Sequence, residues 1–118
     1  MTAIARMRST VLDCPDPMTL AGFYSKLLGW PITEADDEWA VVGAGGPNLA
    51  FQRVEGHRPP IWPGAEHPQQ LHIDLDVDDL DKAEAEVLAL GAVKHDYQPG
   101  NDFRVFLDPA GHPFCLCV

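Results

Sequence analysis

Basic side chains are scarce in this chain. Eight Lys and Arg stand against eighteen Asp and Glu across 118 residues, a formal charge of −10. Phosphate backbones and anionic membranes are both gripped by clustered cations, so the charge balance argues against nucleic acid and against membrane as partners. Long apolar runs are missing too. Nothing approaches the roughly 20 residues that span a bilayer, and the opening MTAIARMRST lacks the apolar core of a secretory signal. Cysteine is limited to Cys14, Cys115 and Cys117, an odd count with no CxxC pair. That argues against a disulfide framework and fits a reducing cytoplasm. No phosphate loop is present, because GAGGP at 43–47 leads into proline and a second strand rather than a helix. The GxSxG elbow of a serine hydrolase is also absent.

What is there starts with a core, since 46% of the residues are hydrophobic, enough for one domain of this length. The central stretch is QLHIDLDVDD, Gln70 to Asp79. Strict alternation sends Ile73, Leu75 and Val77 to one face of an expected strand and Gln70, His72, Asp74 and Asp76 to the other. An imidazole and two carboxylates on one wet face are the groups that bind metals and move protons.

Taken in order, Ile4 to Asp13 alternates loosely as a first strand. Asp16-Pro17 then supplies an N-cap with proline at the first helical position. Met18, Leu20, Ala21, Tyr24, Leu27 and Leu28 form the apolar stripe of a helix, and Gly29 is placed to end it. Strands are expected around Pro31–Ala35, Trp39–Val42 and Leu49–Val54. Glu55 to Pro68, with four prolines and two glycines, reads as a linker. The pattern then restarts with a strand at Gln70–Val77, a helix at Leu80–Leu90 capped by Asp79 or Asp78, and Gly91 as its stop. Strands around Ala92–Tyr97, Phe103–Leu107 and Phe114–Val118 complete it, with the turn DPAGHP before the last. A 63-residue offset superposes Asp13 on Asp76, Asp16 on Asp79 and Phe51 on Phe114, which predicts two copies of one strand–helix–three-strand unit. The modules run 1–54 and 69–118, joined by the linker 55–68.

These stretches resemble a known family. LDCPDPMTLAGFYSKLLGW, with Phe23-Tyr24 followed by Leu28-Gly29, is similar to the first-module signature of the vicinal-oxygen-chelate superfamily. That superfamily includes glyoxalase I, bleomycin-resistance proteins and extradiol dioxygenases. LHIDLDVDDLDKAEAEVLALGA and FLDPAGHPFCLC resemble its second module and DPxG turn. The resemblance implies an α+β fold of two βαβββ modules whose eight strands form a curved sheet or cup with the helices outside. It also implies metal positions on the first and last strand of each module, which fall here on Ser9, Gln52, His72 and Cys115.

His72 is a good ligand, Gln52 offers a carbonyl oxygen, Cys115 suits soft ions and Ser9 is poor; Asp74 adds an oxygen beside His72. The set departs from the carboxylate and imidazole ligands of a catalytic Mg, Mn, Fe or Ni site, while zinc with His72, Gln52 and Cys115 stays open. His72 and Asp74 are also the acid–base candidates. Arg104 and Phe106 share a strand face. If that face is the cup, Arg104 can clamp an anionic group; otherwise it pairs with an acid, Asp102 being the nearest in sequence. Trp62, in the linker, is either a ligand lid or a plug over the core. The favoured reading is a cytoplasmic protein whose cup binds a small organic molecule with no obligatory metal, and the resemblance implies a homodimer. The competing reading is a metal-dependent lyase, isomerase or dioxygenase, and a third is an accessory module acting through a partner.

Overall fold

A computed structural model describes residues 3–118. The fold is α+β, and the chain divides after His57 into two compact units. Each has one four-stranded sheet and one helix in the order β-α-β-β-β, as the sequence pattern predicts. Among the described residues no helix is long and apolar enough to cross a membrane.

The first unit contains β1 (Ser9–Cys14), α1 (Pro17–Leu28), β2 (Ile32–Ala35), β3 (Trp39–Val42) and β4 (Asn48–Arg53), with strand order β1-β4-β3-β2. Local chemistry sets the helix ends. Asp16 is extended and its Oδ1 accepts the N–H groups of Met18 and Thr19, at 3.1 and 3.4 Å, two of the donors a helix start leaves without partners. Gly29 closes the helix in the left-handed region at φ 70°. Leu20, Ala21, Phe23 and Tyr24 are buried against the sheet, and Tyr24 stacks on Phe51 of β4 with centroids 5.6 Å apart. Met18, read as part of the stripe, is instead 46% exposed, and Phe23 takes the place in the core.

The second unit contains β5 (Ile73–Asp76), α2 (Leu80–Ala89), β6 (Val93–Lys94), β7 (Phe103–Leu107) and β8 (Pro113–Cys117), in order β5-β8-β7-β6. Asp79 caps α2 by accepting the N–H of Lys82. Two strands are shorter than their alternation suggests. Gln70 and His72 precede β5, which begins at Ile73. The strand expected over 92–97 is reduced to two residues because a side chain replaces it. Gln98 accepts the N–H of Val105 through Oε1 and donates to the Val105 carbonyl through Nε2, at 2.9 and 2.8 Å. The DPAGHP turn is knotted by Asp108, a buried carboxylate accepting the N–H groups of Ala110 and His112.

The repeat is not carried through the sheets by a single offset. In the first unit β1 partners lie 39 residues on in β4, as with Asp13 and Gln52. In the second, β5 partners lie 41 residues on in β8, as with Asp74 and Cys115. The connections between helix and last strand differ in length, most plainly at 36–38 against 95–102. So Gln52 and Cys115, superposed by the 63-residue offset, do not hold equivalent places against the first strand of their units.

Candidate ligand-binding site

Cross-strand partners share a sheet face, which sorts the candidate residues. In the second unit one face meets α2. It carries Ile73, Phe114 and Phe106 in register, and next to them Leu75, Leu116 and Arg104. Phe106 is fully buried and stacks on Phe114 at 5.8 Å. Arg104 reaches α2, donating through Nη2 to Asp81 at 2.8 Å and through Nη1 to Glu84 at 3.1 Å. Lys94 Nζ joins from β6, 3.0 Å from the same Glu84 oxygen. The expectation that Arg104 and Phe106 line the ligand cup is therefore corrected. Their shared face lies against the helix, and the partners of Arg104 are Asp81 and Glu84 rather than Asp102. Glu84 is held below the usual carboxylate value by its hydrogen bond from Lys94, and Arg104 is raised by its hydrogen bond to Asp81.

The other face carries the polar set. Asp74, Cys115 and Val105 lie in one row across β5, β8 and β7. The row reaches His95, whose N–H donates to the Val105 carbonyl at 3.0 Å. At one end of this row His72 Nε2 lies 3.3 Å from Asp74 Oδ1, both side chains being exposed. One donor atom from each of His72, Asp74 and Cys115 lies within 4.8 Å of the others. Burial, and then the charge of Asp74, pushes the Cys115 thiol up to about 11. Cys117, opposite Asp76, is raised by burial and by Asp74, Asp76 and Asp102. A thiol so placed is protonated at neutral pH and is no ready nucleophile. The face is electronegative.

At the other end Trp62 comes in from the linker. Its ring stands edge-on to His95 at 5.0 Å and tilted against Tyr97 at 5.5 Å. Tyr97 is 50% exposed and Trp62 half-buried, so the trio presents aromatic surface to solvent. Trp62 was legible as a candidate from its place among prolines. His95 and Tyr97 carry no such signal beyond the alternation within Ala92–Tyr97, which puts both on one side.

In the first unit the candidates are Ser9 and Gln52. The Ser9 hydroxyl donates to Asn48 Oδ1, its register partner on β4. Gln52 lies between Asp13 and Trp39 in its own cross-strand row. Trp39 Nε1 donates to Glu34 at 3.2 Å. Within this unit the two candidates therefore sit in different rows of the sheet, four residues apart along β4.

The geometry can be set beside known proteins. A glyoxalase-like domain model matches residues 9–117. A glyoxalase/bleomycin resistance protein/dioxygenase family enzyme from Burkholderia phytofirmans PsJN has a similar structure, with TM-score 0.74 and 17% identity over 95% of this chain and 97% of that one. A glyoxalase-related enzyme from Fulvimarina pelagi gives 0.68 and 18%, over 97% and 88%. A lactoylglutathione lyase from Agrobacterium tumefaciens gives 0.64 and 19%, over 99% and 95%. No curated protein matches the chain. At these identities the structural likeness speaks for the fold. The family model spans nearly the whole sequence, both modules included, and with it the chain belongs to the glyoxalase-like domain family of the vicinal-oxygen-chelate superfamily.

Proposed function

We propose that the protein binds a small organic molecule on the face of the second unit's sheet that α2 leaves uncovered, with no obligatory metal. One observation carries this reading: a single row joins an aromatic cluster at one end to an imidazole–carboxylate pair at the other. Small-molecule sites combine apolar and aromatic walls with a few polar groups that fix orientation. Here Trp62 and Tyr97 supply the wall, and His72 and Asp74 the polar anchor. A planar, hydrogen-bonding, neutral or cationic molecule suits the acidic face, in the manner of a drug-sequestering resistance protein. The working protein is a cytoplasmic homodimer in this reading.

The test uses EDTA-treated protein, measured by thermal shift and calorimetry with bleomycin and a panel of planar organic cations. Binding that survives chelation and weakens at least about tenfold in Trp62→Ala, the loss of about 1.4 kcal/mol, supports the proposal. No shift with any member of the panel, or binding unchanged in both Trp62→Ala and His72→Ala, refutes it.

A second reading, a metal-dependent lyase, isomerase or dioxygenase, is favoured by the cluster of His72, Asp74 and Cys115. Nitrogen, oxygen and sulfur donors fit a borderline-soft ion and not a hard one such as magnesium. An ion held there would supply Lewis acidity toward a bound carbonyl. His72 and Asp74 are the residues that would hold or move a proton beside such an ion.

A further inference from the structure

We propose that His95 is a proton-operated latch on Tyr97. Its neutral ring holds the Tyr97 main chain and so keeps the tyrosine ring on Trp62, and its charged ring lets Tyr97 go. The device lies wholly within the second unit. The free protein carries it, so it goes beyond the ligand reading above and does not rest on it.

The loop after β6 is pinned at two points by groups that do not titrate. The His95 N–H donates to the Val105 carbonyl at 3.0 Å. The His95 carbonyl accepts from Gln98 Nε2 at 2.7 Å, and the same side-chain amide grips both main-chain groups of Val105. Between these pins the Tyr97 N–H donates to His95 Nδ1 at 3.0 Å. Asparagine and aspartate build this turn with a side-chain oxygen two residues before the donor. Asp36 does so in the first unit, accepting the Glu38 N–H at 2.8 Å. Here an imidazole nitrogen takes the oxygen's place. Trp62 completes the set, its ring centroid 5.0 Å from that of His95 and 5.5 Å from that of Tyr97. Its own loop is closed by the Ile61 N–H, which donates to the His67 carbonyl at 2.6 Å.

Nδ1 can accept only while it keeps its lone pair, with the ring proton on Nε2. A second proton makes both nitrogens donors, and the Nδ1–H then meets the Tyr97 N–H as donor against donor. Histidine makes this change between about pH 5 and 8. The charged ring stays with Trp62, because an indole attracts a cation, and Tyr97 is the member that leaves. It is already 50% exposed, so little buried area opposes its departure. The charged neighbours do not replace the lost bond. Lys94 Nζ is committed to Glu84, and Arg104 of β7 to Asp81 and Glu84. Asp96 is exposed on the loop, Glu66 and His67 follow Trp62 in the linker, and Cys115 and Asp74 lie farther along the sheet row. Among the described residues none of these forms an ion pair with His95. The ratio of closed to open loop is therefore expected to fall about fivefold on protonation, the worth of one ordinary hydrogen bond.

The experiment follows isotope-labelled full-length protein by NMR from about pH 8 to about pH 5. The His95 ring signals report its charge, the Tyr97 amide proton reports the hydrogen bond, and cross-relaxation between the Tyr97 and Trp62 rings reports their contact. The Tyr97 amide is expected to shift toward a water-bonded position with the same midpoint as the His95 ring, while the Tyr97–Trp62 contact weakens. His95→Asn keeps an acceptor that cannot charge, so its Tyr97 amide should stay bonded across the whole range. His95→Ala should show the open amide even at the alkaline end. Asp96→Asn and His67→Gln should leave the coupling in place. Amide signals of β7 and β8 check that each variant folds. A Tyr97 amide that ignores the His95 titration, or an imidazole still neutral at the acid end, would overturn the latch. So would a transition that persists in His95→Asn or vanishes in Asp96→Asn or His67→Gln. None of these outcomes bears on whether an organic ligand binds at a fixed pH.

Discussion

Gly111→Ala isolates the packing of the linker on the DPAGHP turn. Gly111 has φ +90°, and a Cβ built there would lie 2.4 Å from Pro59 Cβ and 3.1 Å from its Cγ. Two penalties add. A side chain in the left-handed region costs about 1–2 kcal/mol, and forcing an extra methyl into packed atoms costs about 1–3 kcal/mol. Pro59 cannot swing aside, because its ring is tied to the backbone and its Cα is itself 3.8 Å away. The expected loss is about 2–5 kcal/mol, a large part of the roughly 5–15 kcal/mol that stabilises a domain. Gly45→Ala is the control, since its φ is +96° but nothing lies within 4 Å of the added atom. It should show the conformational penalty alone. Urea unfolding monitored by tryptophan fluorescence reads both variants, with unchanged slopes required for the comparison. In Gly111→Ala/Pro59→Gly the clash is removed, so the double variant should recover the packing share of the loss beyond simple additivity. Equal destabilisation by Gly111→Ala and Gly45→Ala would refute the claim that the linker seats on this turn.

Two further outcomes follow from the capping and charge networks. Asp16→Ala removes the carboxylate that holds the first turn of α1 and should cost about 1 kcal/mol in urea unfolding, while Asp16→Asn, which keeps an acceptor, should lose less. Glu84 has its pKa lowered from the usual 4.5, first by the hydrogen bond from Lys94. Its contribution is therefore present above that usual value and is lost as pH falls through the lowered folded value. Stability of the native sequence should drop more steeply in acid than that of Glu84→Gln, with a difference at neutral pH of no more than about 1 kcal/mol because the network is partly exposed. Parallel pH profiles would refute this.

Features governed by neighbours in sequence were legible without coordinates. The start of α1 at Asp16-Pro17 and its end at Gly29 follow from which residues satisfy or terminate helix ends, and the structure places them there. Period two told that Arg104 and Phe106 share a face, but no local pattern says which face a helix will cover. That was decided by Asp81 and Glu84, one turn apart on α2, meeting the guanidinium. The truncation of β6 was out of reach for a different reason. Gln98 replaces a strand's backbone with its amide, and a side chain that mimics the main chain leaves no hydrophobic period behind.

Cys115 shows where the candidate site's legibility ends. Its type and its strand were readable, yet its meeting with Asp74 depends on the distance between two strands in sequence. With the 41-residue spacing of β5 and β8, Asp74 faces a thiol. With the 39-residue spacing of β1 and β4, it would face Pro113, which offers no donor to an ion. A change of two keeps every side chain on its own face, because the strand period is two, so alternation alone does not tell the two registers apart. Hydrophobic patterning, the strongest signal in the chain, is therefore blind to the one variable that brings sulfur, carboxylate and imidazole together. That register is fixed by how β5 and β8 pack in the sheet, with Phe114 and Leu116 buried, and the period of either strand alone does not carry it.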